Sequence, residues 1–237
     1  MGLISKYFKI INFESFRKFY IIGGITVILT NRQSVFWRNI MTKKESKEKR
    51  INDITDAAME IFLKKGYENT TMESIAKKAG MSKGGLYHHF KSKDMILIFV
   101  NQKISEKLEE IGHASMEMPS VKEGLLFYME NYLMYWLEHP VETTFLFLSI
   151  TKILDNSELL KYYQQFTGDY IKYLEESFKM GVEEGEFIPH NTRTSAVTLA
   201  AALDGIICYM ILDEQLNLEE VVKRFEEKFI KPIEKGA

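Results

Sequence analysis

One cysteine, 4 prolines and 14 glycines are spread over 237 residues. The lone Cys208 excludes an internal disulfide. Lying in an apolar run, it reads as a small core residue in a reducing cytoplasm rather than a reactive thiol. The scarcity of proline and glycine leaves long stretches without a turn signal. That disfavours a fold of many short strands and favours helices. No glycine-rich phosphate loop, zinc-ligand spacing or nucleophile elbow occurs. The acidic pairs Glu109-Glu110, Glu175-Glu176 and Glu183-Glu184 read as solvated helix faces and not as acid/base dyads. No catalytic residue, metal ligand or cofactor is therefore expected. With 46% hydrophobic and 27% charged residues, the chain has the composition of a folded globular protein.

A net charge of −2 conceals a strong asymmetry. Residues 1–40 carry +5, residues 41–95 carry +4, and residues 96–237 carry −11. A phosphate-binding surface belongs near the front of such a chain. Residues 1–40 differ in kind from the rest. Their apolar run, Tyr20 to Leu29, is shorter than the roughly 20 residues a membrane-spanning helix needs, and no small-residue cleavage site follows it. Met41 precedes the polar stretch Thr42-Lys43-Lys44-Glu45, an ordinary fraying start for a helical domain. We expect translation to begin at Met41, with 1–40 an over-extended start. The alternative is an extension that meets a membrane surface or a partner, which would make the chain a membrane-associated helical interaction protein.

From Ile51 the pattern becomes helical. Ile51, Ile54, Ala57, Ala58, Ile61 and Phe62 form one apolar stripe, which Lys64, Lys65 and Gly66 terminate. Tyr67 is expected to pack back on that stripe. Thr70, three residues before Glu73, reads as a capping box for a second helix with Ile75, Ala76 and Ala79 inward. Gly80 ends it, and Ser82 caps a third helix after about three residues, which is helix-turn-helix spacing. Leu86 and Phe90 anchor the third helix, leaving Ser82, Lys83, Gly84, Tyr87 and His88 outward. Glycines inside a helix cost roughly 1 kcal/mol each. Gly84 and Gly85 make sense if another surface approaches the backbone closely. Ser92 then caps a fourth helix whose first residue is Lys93.

These elements, from Ala57-Ala58 through Gly66-Tyr67, Thr70-Thr71, Ser82-Lys83-Gly84, Leu86-Tyr87 and His89-Phe90 to Lys93, resemble the DNA-binding domain of TetR/AcrR-family transcriptional repressors. The resemblance covers about residues 48–100. It implies that the third helix enters the major groove. Tyr87, Lys93 and Thr71 would then grip phosphates, with Arg50 near the backbone. Ser82, Lys83, Gly84 and His88 would face base edges or adjacent phosphates.

The remaining chain reads as successive amphipathic helices at about 95–112, 121–138, 141–154, 157–184, 192–212 and 218–233. The middle ones are rich in aromatics interleaved with methionines, a composition suited to an adaptable apolar cavity. The resemblance implies a ligand-binding and dimerisation role for this body. Phe127, Tyr132, Trp136, Phe147, Phe166 and Tyr170 are the expected lining for an apolar or aromatic effector. The run Ser195 to Met210 is apolar on more than one face and needs a second surface. Close approach through Ala200, Ala201 and Gly205, with Tyr209 beyond them, suits a four-helix dimer interface shared with the last helix. The expected architecture is therefore all-α: an extension at 1–40, a helix-turn-helix domain at 41–95, and an effector-binding and dimerisation body at 96–237. The function it implies is a homodimeric, cytoplasmic repressor that leaves a palindromic DNA operator when a small molecule binds, with no membrane partner.

Overall fold

The computed structural model describes residues 9–11, 19–22, 25–28, 31–154 and 156–236, with side chains from residue 47 onward except at 158. It begins with a small antiparallel meander: β1 (Lys9–Ile11), β2 (Phe19–Ile22) and β3 (Ile25–Ile28). Lys9 pairs with Ile21, and Ile22 pairs with Ile25. β-branched and aromatic side chains favour such strands. These strands fall outside the helical expectation, which holds from Asn31 onward. Within residues 1–40, positions 1–8, 12–18, 23–24 and 29–30 lie outside the described residues, and the described ones do not bear on where translation starts.

α1 runs Asn31–Lys65 and is longer than the stripe from Ile51 suggests. No proline or glycine interrupts it before Gly66, which adopts φ 77 and stops it. α2 is Met72–Lys78, α3 Lys83–His89 and α4 Lys93–Ser115. Two compact units result, Met1–Asp53 and Ile54–Ala237. Within the second unit, Ile54, Ala58, Phe62, Ile75 and Leu86 form a buried core. Tyr67 stacks on Phe62 at 5.3 Å between ring centroids, as expected.

The capping box sits one residue later than the sequence suggests. Thr71 caps α2, its Oγ1 accepting from Ser74 N at 3.1 Å, while Ser74 Oγ accepts from Thr71 N. Thr70 is buried instead, and its hydroxyl donates to Gly66 O at 2.8 Å. Ser is shorter than Glu but forms the same reciprocal pair, and Thr70 stays attached to the preceding turn.

The body contains α5 (Val121–Glu138), α6 (Pro140–Leu154), α7 (Ser157–Glu183), α8 (Thr192–Leu212) and α9 (Leu218–Phe225). Asn156 precedes α7 and caps it through Leu159 N at 3.3 Å. α9 passes into a π-helical turn and a final 3₁₀ turn ending at Ile233, where one uninterrupted helix is expected. Pro232 blocks further α-helix. α5 is central and packs against α4, α6, α7, α8 and α9. Cys208 is a free, half-buried thiol and not a core residue.

A strap closes the far end. Both Glu186 carboxylate oxygens accept from the first amides of α5, Val121 N at 2.8 Å and Lys122 N at 2.9 Å. Lys122 in turn bridges Glu234 at 2.9 Å and Glu226 at 3.2 Å. A carboxylate at a helix N-terminus satisfies orphan donors and opposes the helix dipole. Phe187, 2% exposed, packs its ring against Gly181, where any Cβ would collide with it. Gly181→Ala is expected to lower unfolding stability in urea by about 1–3 kcal/mol through overpacking. Unchanged stability would show that the Phe187 ring is free to move aside.

Candidate nucleic-acid interface

Gly80, at φ 65, turns the chain between α2 and α3, and Met81 N donates back to Ala76 O at 2.9 Å. Ser82 Oγ then accepts from Gly85 N at 3.1 Å and starts α3. The inner edge of α3 is fixed by Leu86 and Phe90, 0% and 1% exposed. Phe90 meets Phe99 of α4 edge-on at 5.0 Å. With that edge locked, Ser82, Lys83, Gly84, Tyr87 and His88 are all exposed. Helical periodicity puts positions 83, 84, 87 and 88 on one face. A Cβ at Gly84 would meet nothing within 4 Å, so the chain's own packing does not require glycine there.

The remaining expected contacts differ in availability. Thr71 is exposed, although its hydroxyl already caps α2. Arg50 is exposed on the part of α1 before Ile54, 3.8 Å from Asp53. Lys93 is placed otherwise than the resemblance implies. Its ammonium donates to Tyr67 O at 2.8 Å, Thr70 O at 3.3 Å and Glu68 O at 3.4 Å, and lies 4.2 Å above the Tyr67 ring. These carbonyls follow the C-terminal end of α1, where a cation is favoured. Lys93, half-buried, thus holds the α1–α2 turn to the start of α4.

The expected lining of the body divides three ways. Tyr132, Trp136 and Tyr170 come together, with Tyr132 and Tyr170 stacked at 5.7 Å and 11°. Phe127 faces a different cavity, shared with α1 and α4. Phe147 and Phe166 are exposed. On α6 the inward aromatic is Phe145, 6.1 Å from Phe62, and Phe147 is two positions out of phase with it.

Sequence reasoning left out the polar centre of this aromatic cluster, Asp204. Its Oδ1 accepts from the Tyr132 hydroxyl at 2.6 Å. The residue as a whole remains open to solvent in the single chain, but burial of the carboxyl outweighs the Tyr132 hydrogen bond and raises its pKa. Burial, followed by the Asp204 charge, also raises Tyr132 and Tyr163. Trp136 Nε1 and Tyr170 Oη are buried close to Tyr132 without a partner in bonding geometry. One acid within the apolar run Ser195 to Met210 was the available signal.

α8 is the most unbalanced helix. Its mean hydropathy of 1.9 over the most apolar window makes it long and apolar enough to cross a membrane, yet only 33% of that window is buried. Ala200 points into the core at 5% exposure and is therefore not on the free face. Ala201 and Gly205 are exposed, Tyr209 is 65% exposed and Leu212 82%. The helix that packs along α8 is α7, whereas α9 packs on α5. Within one chain α8 packs along α7 and α5, and this packing leaves the outer face of α8 open.

A locked helix-turn-helix joined to an all-helical body with a free apolar face defines a class of DNA-binding regulators. Residues 54–98 match the bacterial regulatory proteins of the tetR family, and residues 103–235 match the QacR-like protein C-terminal region. The chain belongs to the TetR family of transcriptional regulators, with a QacR-like C-terminal region, and is not an enzyme. It is 25% identical over 186 residues to the HTH-type transcriptional regulator QacR of Staphylococcus aureus, covering 77% of this chain and 97% of QacR. Its fold is similar to that of FadR from Bacillus subtilis in complex with stearoyl-CoA: TM-score 0.63, 23% identity, 76% of this chain and 98% of that one. It is also similar to AibR in complex with isovaleryl coenzyme A and operator DNA: TM-score 0.58, 21% identity, 76% and 98%.

Two measurements test this arrangement. Lys93→Met is expected to cost about 1.5–3 kcal/mol in urea unfolding, because charge-assisted bonds to several carbonyls are lost; no measurable loss would mean that water serves them equally well. For Asp204, whose folded pKa lies above its unfolded value, the proton is held more tightly when folded. Its stability contribution is therefore present at low pH and is lost as pH rises through the folded pKa. Asp204→Asn is expected to melt above the parent at pH 7, with the gap closing as the pH falls toward about 4. A pH-independent gap would remove the linkage.

Proposed function

We propose that the chain is a homodimeric repressor that holds a palindromic operator through two copies of α3 and leaves it when a small apolar or aromatic effector binds the body. The observation that carries this reading is α3 itself. Its back is locked by Leu86 and Phe90, while Ser82, Lys83, Tyr87 and His88 stand exposed around a bare Gly84. Hydroxyls and a cation suit phosphates, and exposed side chains on an inserted helix read base edges. Thr71 and Arg50 add flanking backbone contacts, and Lys93 ties together the segments on either side of the helix-turn-helix.

A single short helix binds weakly, whereas two set about one DNA turn (~34 Å) apart read a palindrome. The free apolar face of α8, through Ala201, Gly205 and Tyr209, supplies a second surface to bury when two copies pair alongside α7. A soluble pairing face accounts for the hydropathy of α8 without a membrane, and the protein would act in the cytoplasm. The effector is assigned to Tyr132, Trp136 and Tyr170 around Asp204. There the unpaired Trp136 and Tyr170 donors would orient a polar group within an aromatic surround. FadR in complex with stearoyl-CoA and AibR in complex with isovaleryl coenzyme A and operator DNA support a regulator that takes both a small ligand and operator DNA. The effector acts by its differential affinity for two conformers with differently spaced heads.

Gel shifts with the DNA upstream of the protein's own gene test the proposal. Lys83→Ala and Tyr87→Ala are each expected to weaken binding by about 1–3 kcal/mol at unchanged melting temperature. Tyr209→Glu is expected to sediment as a monomer and lose the shift. Specific binding that survives all three substitutions would overturn this assignment of the interface.

A further inference from the structure

From Thr70 to Lys93 the chain holds five lysines and a single acid, Glu73. The sequence spacing assigns that acid to the cap of α2, but Ser74 takes the role, and the Glu73 side chain is left 77% exposed. Its carboxylate lies 3.9 Å from the ammonium of Lys83, the first residue of α3. At that distance the charges attract without a hydrogen bond. The nearby pair Glu60–Lys78 is different: at 2.6 Å it is hydrogen-bonded and ties α2 to α1. Glu73 and Lys83 join two helices that the Gly80 turn and the buried Ile75 and Leu86 already hold. The α2 dipole favours an acid in the first turn, but only weakly at an exposed position. The fold therefore gives little reason for the one acid in this segment to face the lysine that leads α3.

We propose that Glu73 is a specificity-determining residue that acts through Lys83, competing with DNA phosphates for its ammonium so that this lysine adds little to binding at unrelated sequences. Non-specific affinity comes from cations that neutralise phosphates. An exposed ion pair is weak, but so is one phosphate contact, and a carboxylate already 3.9 Å away competes with it on even terms. A phosphate brought to Lys83 also approaches Glu73, and the like charges repel. Phosphates are the same at every sequence, whereas guanine O6 and N7 offer a lysine on an inserted helix two acceptors only where guanine stands. A penalty confined to phosphate contact therefore widens the gap between the right DNA and the wrong one. Glu73 needs to touch no DNA atom for this and is a positioning residue. The inference rests on the reading of α3 as the helix that faces DNA.

The test measures fluorescence anisotropy of the full chain on a random-sequence duplex and on the DNA upstream of its own gene, each across a salt series. Glu73→Gln is expected to tighten binding to the random duplex severalfold. The plot of log affinity against log salt is expected to steepen by about 0.9, as one more phosphate is neutralised. Binding to the upstream DNA is expected to tighten less, so the ratio of the two affinities falls. Because the side chain is exposed, the melting temperature is expected to stay where it was. In a Lys83→Ala background, Glu73→Gln is expected to change neither affinity nor slope, since the residue it acts through is gone. An equal gain in both backgrounds would overturn the proposal, because Glu73 would then merely repel the DNA backbone. So would a Glu73→Gln chain with unchanged affinity and slope. If Lys83→Ala still weakens binding in that case, α3 keeps its role and only the part given to Glu73 fails. If Lys83→Ala is also without effect, the reading of α3 fails with it.

Discussion

One ammonium group ties together the segments on either side of the helix-turn-helix. Lys93 gathers the carbonyls of Tyr67, Glu68 and Thr70 and rests on the Tyr67 ring, which itself stacks on Phe62. Three segments meet there: the end of α1, the turn into α2, and the first residue of α4. α3 lies between that turn and α4, held by Leu86 and Phe90. Its outward face is only lightly tied to the fold: Ser82 Oγ accepts from Gly85 N, and Lys83 lies 3.9 Å from Glu73. A loosely held α3 would lose in orientation what its exposed groups gain in contacts, since readout of a groove depends on where the side chains stand.

Much of this was legible in the sequence because it rests on local rules. Gly66 and Gly80 adopt the left-handed backbone expected of helix stops, and Ser82 and Ser92 cap the helices that follow them. The boundaries of α5 and α8 agree with the apolar pattern and with the His139-Pro140 break. What could not be read depends on which helix lies beside which. Lys93 resembles a phosphate-binding lysine until the carbonyls 23 to 26 residues earlier are seen to surround it. Phe147 and Phe166 have the composition of a binding site, but helical phase turns them outward. Phe145, with the same side chain, takes the inward place. Asp204 gave only the weak signal of one acid in an apolar run. Its significance comes from Tyr132, which lies 72 residues away in sequence.

α8 imposes the second constraint. Ala196, Leu199, Leu203 and Ile207 face the core, and the same helix exposes Val197, Tyr209, Ile211 and Leu212. A helix apolar all round has to be covered on both sides. Asp204 stands at the edge between those two sides, one oxygen tied to the aromatic cluster. Covering the free face with a second copy would deepen the burial of a carboxyl whose charged form is already disfavoured. On the proposed pairing, what stabilises the pair would also favour the neutral acid, or a ligand group that compensates its charge.

The head and body are commonly pictured as two domains joined by a lever, but the packing here is more continuous. From Ile54 to the C-terminus the chain forms one compact unit, and α1 reaches the body through Phe62 against Phe145 and through Asp56 on Lys103. The apolar contact is buried and insensitive to salt; the ionic one is exposed and screened. The head movement of least cost would therefore keep the first while exchanging the ionic ties, Asp56–Lys103 and Glu68–Lys152, as a pivot about the Phe62–Phe145 contact would. In the proposed homodimer, a pivot of that kind would alter the spacing of two α3 helices without unpacking either core, so a modest differential affinity for a ligand would be enough to shift it.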